Sequence, residues 1–412
     1  MNTHASHRED GPAGHLVVLG SGPQAEWEYA MQRLAAGGPL LLIDQESPTW
    51  QRPHLAGAWT ANLLDPLQVL DEARKLAVTR PIAGVLNFHP AHARAAALLR
   101  QELVLPGPSI ATFEASILRH LTAQLLTGAG VDNCGTLHAD SYDQALEAAH
   151  QVGFPLVCKP ASPHTRYCAR RVAGIPELAE AFSAAAAASW TGTGAAIEPL
   201  LDGIEATAYT TDSSSGPRVV AVSHSTFDPQ AEPALLPVEV VVDADDVCTP
   251  AIEDTASRAL TALGHRSGPA QIRMRITSTG PRVISVTTHL TDPLLGMLIE
   301  QVTGIDLISQ AGCHARGQMS CTKESRLGAT AVRFLQGPGA TRPLPPKVAA
   351  QPQVTPYATL HQYSAERRVG PLSRSGHLLA SGTDYPQCIA RLRSAAETLQ
   401  SARLSAATES YR

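Results

Sequence analysis

The chain reads as an α/β protein that opens on a parallel strand–helix unit and continues into sheets made of hairpins. Three stretches carry that reading. The apolar run Leu16-Val17-Val18-Leu19 is followed by Gly20-Ser21-Gly22-Pro23, a helical stretch from Glu26 to Leu34, and a second apolar run, Leu40-Leu41-Leu42-Ile43, that ends in Asp44. Strand, glycine turn, helix and strand in that order define a parallel α/β unit. Further on, Gly153-Phe154-Pro155-Leu156-Val157-Cys158-Lys159-Pro160 reads as an apolar strand ending in a lysine. Finally, two alternating runs between Gln271 and Asp292 flank the turn Ser278-Thr279-Gly280-Pro281. Ile272, Met274 and Ile276 take one face there, opposite Gln271, Arg273 and Arg275. Ile284 and Val286 then alternate with Ser285, Thr287 and His289. Period-two alternation about a Gly-Pro turn predicts a β-hairpin with one buried face.

The remaining elements follow in order. Ile82 to Phe88 contains a strand, and the first domain is placed at residues 15–113 behind a polar, disordered tail at 1–14. Phe113 to Gly130 predicts one helix closed by Gly128-Ala129-Gly130, and Tyr142 to Val152 another. The Ala-rich stretch Ala179 to Trp190 is helical. Ile197 to Leu201 and Thr207 to Thr210 frame a loop at Asp202-Gly203. Strands are expected at Val219 to Ser223 and Val238 to Val242, a helix at Ala251 to Leu263, and a last helix at Tyr385 to Leu404. A second domain is drawn at 114–196 and a third at 197–412. Prolines 343, 345, 346, 352 and 356 mark residues 340–356 as a loop.

Composition narrows the function. At 412 residues the chain is long enough for several cores, and 44% hydrophobic with 17% charged residues suits a globular protein. A net charge of -5 and a pI near 6.3 supply no electrostatic footprint for nucleic acid or an anionic membrane. No apolar run has bilayer length and no signal segment is visible, so a cytoplasmic protein is expected. Seven dispersed cysteines argue against a disulfide framework, and the spacing of Cys313-His314 and Cys321 does not suit a metal. Gly20-x-Gly22 with Asp44 downstream could be read as a dinucleotide fingerprint, but the third glycine is replaced by Ala25 and a tight strand-to-helix turn suffices. No Ser or Cys sits in a nucleophile-elbow setting.

The landmarks and their order resemble ATP-grasp proteins, most closely L-amino-acid ligases and related carboxylate–amine ligases, from about Leu16 to Leu399. Gly153-Phe154-Pro155 with Cys158-Lys159-Pro160 resembles the strand carrying the nucleotide lysine. Ile197-Glu198 with Gly203-Ile204-Glu205 resembles the adenine and ribose hinge. Gly280 to Ile284 resembles the metal-site hairpin and Thr303 to Leu307 the helix after it. Gly328 to Leu335 resembles a C-terminal-lobe strand, and Ser373 to Gly376 with Gly382 that lobe's last hairpin. The resemblance implies three lobes, with ATP held between two sheets, and Arg119, Lys159, Glu198, Leu200 and Glu205 as nucleotide-binding candidates. It implies a homodimer, and as ligands an amino acid or nucleotide.

Departures from the family pattern cluster in the chemistry. The hairpin slots for two acidic magnesium ligands, an Asn and the acyl-phosphate arginine hold Arg273, Ser285, Thr287 and His289. Mg²⁺ takes hard oxygen donors, and a guanidinium neither ligates a metal nor loses its charge. Asp292 is a weak replacement ligand. The three glycine slots of the phosphate loop hold Pro163, Thr165 and Cys168, and proline removes an N–H. Arg166, Arg273 and Arg275 become anion-binding candidates, with Arg166, Arg170 and Arg171 also readable as a solvated surface. Pro199 follows Glu198 and cannot donate to adenine. The expectation is an ATP-grasp relative that has lost magnesium–phosphate chemistry and acts as a ligand-binding or regulatory partner of an active biosynthetic ligase. ATP remains a candidate ligand. The competing reading is an active carboxylate–amine ligase with a reorganised site, and a third, weaker one a nicotinamide-dependent oxidoreductase.

Overall fold

A computed structural model describes residues 14–162, 169–189, 194–213, 216–227, 237–244, 250–319, 324–325, 328–335, 353–355, 358–362 and 376–409. Its first sheet holds β1 (His15–Leu19), β2 (Leu40–Asp44), β3 (Gly57–Thr60) and β4 (Ile82–Asn87), all parallel in the order β3-β2-β1-β4. Successive strand residues point to opposite faces. Val17, Leu19, Leu41 and Ile43 therefore meet helices α2 (Pro66–Thr79) and α3 (Ala93–Leu103) on one side. Leu16, Val18, Leu40 and Leu42 meet α1 (Gln24–Ala36) on the other, together with helices from the far end of the chain. Burial on both faces explains why these strands are apolar throughout rather than alternating.

Sequence periodicity predicts one helix over 113–130, and the chain makes two: α4 (Ile110–Ile117) and α5 (Arg119–Gly128). Leu118 between them is extended, and the Arg119 amide donates to the Ala161 carbonyl at 3.1 Å. That tertiary bond, which no local breaker announces, sets Arg119 at the start of α5. A second sheet, ordered β5-β8-β6-β7, is antiparallel and contains β5 (Leu137–Ala139), β6 (Leu156–Pro160), β7 (Arg170–Val172) and β8 (Ala195–Pro199). Helices α6 (Tyr142–Val152) and α7 (Ile175–Ala187) cover one face through an alanine-rich core.

The third sheet is antiparallel and nine-stranded. It runs through β9 (Ile204–Ser213), β10 (Gly216–Phe227), β11 (Pro237–Asp243), β12 (Ala270–Thr277), β13 (Gly280–Thr287), β14 (Ala329–Leu335), β15 (Gln353–Thr355), β16 (Ala358–Gln362) and β17 (Gly376–Gly382), in the order β13-β12-β9-β10-β11-β14-β17-β16-β15. Helix α8 (Pro250–Ala262) packs beneath the β12–β13 hairpin. Helices α9 (Pro293–Thr303) and α10 (Leu307–Ala315) bridge this sheet to the first, and α11 (Tyr385–Glu409) packs on β14 and β17. The stretch 340–356, expected as loop, contributes β15 as an edge strand, a position that tolerates flanking prolines because one edge needs no partner. The rest of that stretch, and the tail at 1–13, lie outside the described residues. Among the described residues no helix is long and apolar enough to cross a membrane.

The hairpin itself departs from the simple alternation. Arg273 pairs with Ser285, but Met274 pairs with Val283, so Ile284 is an extra residue on its strand. A bulge of this kind reverses the facing of the residues on its far side. Val283 and Val286, both 1% exposed, therefore fill the core over α8, and Ile284 leaves the core face to which alternation assigned it.

Candidate functional site

Ile284 turns instead into a cleft between the second and third sheets. A cavity of about 70 Å³ there is lined on one side by Lys159 and Glu198 of the second sheet with Leu200 just past β8, and from the third sheet by Glu205, Arg273 and Arg275. A larger cavity of about 260 Å³ adjoins it, sharing Arg119, Cys134, Arg273 and Ile284. Its remaining walls include Phe113, Ile117 and Leu126 from α4 and α5, Ser285 and Thr287 from β13, then His289, Asp292 and Phe334. The sequence-named residues thus converge, except Arg166, which lies outside the described residues, as do Pro163, Thr165 and Cys168. Arg170 is on the surface, 2.7 Å from Glu180, and Arg171 is exposed.

Each cation in the cleft has a distinct environment. Lys159 and Glu198 come from adjacent strands, and their side chains form a buried ion pair. Glu198 also accepts from the Thr136 hydroxyl at 2.7 Å. Burial alone would raise the Glu198 carboxyl, but Lys159 and Arg119 beside it hold it below the ordinary carboxylate range. Arg273 and Arg275 flank one carboxylate, Glu205, at 3.7 and 3.4 Å. Strand register explains the cluster: Arg275 lies directly opposite Glu205 across β12 and β9, and Arg273 two residues along the same face. Arg275 also donates to the Gly203 carbonyl at 3.2 Å and stands 5.9 Å from the Phe227 ring centre. Arg119 donates its Nε to the Pro160 carbonyl at 3.0 Å, and burial, with Arg273 nearby, lowers its guanidinium to about 10. Among the described residues Arg119 has no carboxylate within ion-pair distance.

Among the described residues, the hairpin side chains do not supply the carboxylate pair of a magnesium site. The hairpin positions facing the cleft are a guanidinium held by Glu205 and two hydroxyl residues, Ser285 and Thr287, whereas Mg²⁺ asks for carboxylate oxygens. Asp292 reaches the larger cavity, but its Oδ1 caps α9, accepting from the Leu294 amide at 3.1 Å. The candidate nucleotide donors are gathered yet engaged within the protein: Lys159 on Glu198, and the Leu200 amide on the Pro155 carbonyl at 3.3 Å. The smaller cavity is also well below the roughly 300–1,000 Å³ of ordinary ligand pockets.

His289 lies at the larger cavity. Burial, and then Arg100 and His89 nearby, push its imidazole down to about 3, so the ring is neutral where the family resemblance implies a cation. Its Nε2 is buried without a hydrogen-bond partner among the described residues. Sequence reading missed Asn133, Cys134, Thr136 and His89. The first three come from a short segment held to β13 by backbone bonds, Cys134 amide to Val283 carbonyl at 3.1 Å and Val283 amide to Asp132 carbonyl at 2.9 Å. An Asn-x-Gly turn was the available signal, with the Gly135 amide donating to Asn133 Oδ1 at 2.9 Å.

The dinucleotide reading of the first sheet finds no support in its loop. Asp44 accepts from Ser21 Oγ at 2.5 Å and the Gln45 amide at 2.7 Å. The Trp27 indole lies against Gly22 and the His92 ring against Gly20, where a phosphate would have to approach.

Two sheets enclosing a cleft, with a parallel sheet ahead of them, define the class: the chain has the ATP-grasp fold. It is similar to an L-amino acid ligase from Bacillus licheniformis with a TM-score of 0.74 at 18% identity, covering 93% of this chain and 97% of that one. An N5-carboxyaminoimidazole synthetase from Staphylococcus aureus complexed with ADP matches with a TM-score of 0.73 at 14% identity, covering 93% and 96%. A biotin carboxylase–beta-gamma-ATP complex from Campylobacter jejuni matches at 0.71 and 14%, covering 95% and 94%. No protein-family model matches the chain. In sequence it is 26% identical over 285 residues to the uncharacterized protein y4rH of Sinorhizobium fredii, a match spanning 68% of this chain and 58% of that protein.

Proposed function

We propose that this chain is a non-catalytic relative of the L-amino-acid ligases, a ligand-binding or regulatory protein that works without magnesium beside an active biosynthetic ligase. The observation that carries the reading is the Arg273–Glu205–Arg275 cluster. It puts fixed positive charge where acyl-phosphate chemistry needs metal-binding carboxylates, and charge neutralisation by metal is a large part of that chemistry. The Lys159–Glu198 pair supports it by engaging the nucleotide lysine inside the protein. A nucleotide remains a candidate ligand, but it must compete with Glu198 for Lys159. The protein partner and a homodimeric state are proposed from the family resemblance alone.

An active carboxylate–amine ligase is the alternative. Its support is that Arg119, Lys159, Glu198, Leu200 and Glu205 all line one cavity, as a nucleotide site requires. Phosphate release from ATP with mixed amino acids, in the presence and absence of magnesium, separates the two. The proposed reading expects none; metal-dependent turnover establishes the ligase.

A further inference from the structure

We propose that His120 and His138 form a proton-sensitive latch between the second and third sheets, closed while both rings are neutral and released in acid. The latch governs how the two sheets are held together, whatever occupies the cleft between them.

The two histidines belong to different bodies. His120 lies at the start of α5, whose Leu121, Leu125 and Leu126 pack with α8 and the β12–β13 hairpin. His138 is the central residue of β5, whose Leu137 and Ala139 join the alanine-rich core of the second sheet. Alternation turns His138 away from that core. It pairs with Ala196, which pairs in turn with Lys159, so His138 and Lys159 share the cleft side of the sheet. The two rings meet across the seam with centroids 4.8 Å apart and planes at 45°.

This contact suits neutral rings only. His138 Nε2 lies 2.8 Å from Asp140 Oδ1, and a carboxylate only accepts, so this nitrogen carries the proton. The neutral ring then presents a bare Nδ1. Nδ1 of each ring is buried without a hydrogen-bond partner among the described residues. Protonating both rings in the closed arrangement would put an N–H on each buried Nδ1 with no acceptor, and set two cations side by side. Burial, and then His138, lower the His120 imidazole from its ordinary value of 6.5, while Asp140 opposes them. Other charges around the seam are engaged elsewhere. Arg119 donates to the Pro160 carbonyl, Arg258 of α8 to the Ala129 and Gly130 carbonyls, and Lys159 pairs with Glu198. The sign follows: as pH falls below 6.5, an open arrangement with hydrated rings takes up protons that the closed one refuses, and gains population. Among the described residues no three histidine, cysteine or carboxylate side chains are placed to hold a metal, which leaves protons as the species the pair answers to.

The Arg119 amide reports on the seam. It opens α5 and has no partner within the helix, so its protection rests on the Ala161 carbonyl, at 3.1 Å, just past β6. The test is amide hydrogen exchange of the full chain at pH 8 and pH 5, each rate divided by the intrinsic rate at that pH. Protection at Arg119 is expected to fall severalfold at pH 5, while amides of β9, an inner strand of the third sheet, keep theirs. His120→Phe retains an aromatic ring that takes no proton, and should hold the Arg119 protection constant. His120→Lys, charged at both pH values, should lower it already at pH 8. If His120→Phe does not fold, His120→Gln gives the same reading, since its amide does not titrate in this range. Equal protection at the two pH values, or a fall that persists in the uncharged variant, overturns the proposal. So does a matching fall in β9, the mark of acid unfolding of the whole chain.

Discussion

Removing Lys159 tests whether the cleft is closed on itself. Lys159 is 4% exposed and Glu198 3% exposed, so the Lys159→Met chain keeps a carboxylate deep in the protein without its cation. Breaking one side of a buried pair costs about 3–5 kcal/mol. Arg119 and the Thr136 hydroxyl remain beside Glu198, so the lower end, about 3 kcal/mol, is expected. Urea unfolding followed by circular dichroism measures the loss. The double variant Lys159→Met/Glu198→Gln should recover most of it, leaving a deficit of about 1 kcal/mol, since a matched neutral pair costs little. The pH dependence comes from the same pair. The Glu198 carboxyl sits below its ordinary value in the folded chain. Its contribution is therefore complete above the unfolded carboxylate range and disappears as pH falls through the folded value. The double variant should show a shallower loss of stability in acid. A Lys159→Met chain as stable as wild type, with an unchanged acid profile, would refute the reasoning and mean that Glu198 is hydrated in solution.

Other consequences are as direct. Val286→Ala should cost about 2–3 kcal/mol, two buried methyl groups plus a cavity, whereas Ile284→Ala should cost less than about 1 kcal/mol; equal losses in urea unfolding would place Ile284 back in the core. Gly203 has φ +119, and a Cβ there would overlap the Ile276 carbonyl oxygen, so Gly203→Ala should lose about 1–3 kcal/mol, read as a lower melting temperature. His289, pushed down to about 3, should keep a neutral ring by NMR from pH 8 to pH 5. Its contribution to stability is full above the unfolded histidine value of 6.5 and declines as pH drops from there toward 3, and His289→Gln should flatten that slope. An imidazole that titrates near 6.5 would contradict this.

Much of the fold was legible because one signal dominated each element. Both-face burial made Leu16 to Leu19 and Leu40 to Ile43 wholly apolar, and the helix Tyr142 to Val152, which the structure shows capped by Ser141, runs up to Gly153. The break at Leu118 was not legible, because the carbonyl of Ala161, just past β6, causes it. Nor was the bulge at Ile284, since alternation carries no mark of an inserted residue. At the site, residue types marked where the chain departs from the family pattern, but not how the replacements pair. That Glu205 would face both arginines depended on the register of β9 against β12. Thr136 and Cys134 entered the cleft through backbone pairing of a short irregular segment, which no periodic pattern reveals.

The central proposal is that this chain, with its ATP-grasp fold, works without magnesium-dependent chemistry. Calorimetric titration of ATP into the purified chain, first with magnesium and then with excess chelator, tests it most directly. The proposal predicts the same isotherm in both conditions, whether binding is weak or absent, because Arg273, paired with Glu205, fills the hairpin slot that the family resemblance assigns to a metal-binding carboxylate. Binding that appears only with magnesium would contradict it and put the carboxylate–amine ligase reading ahead.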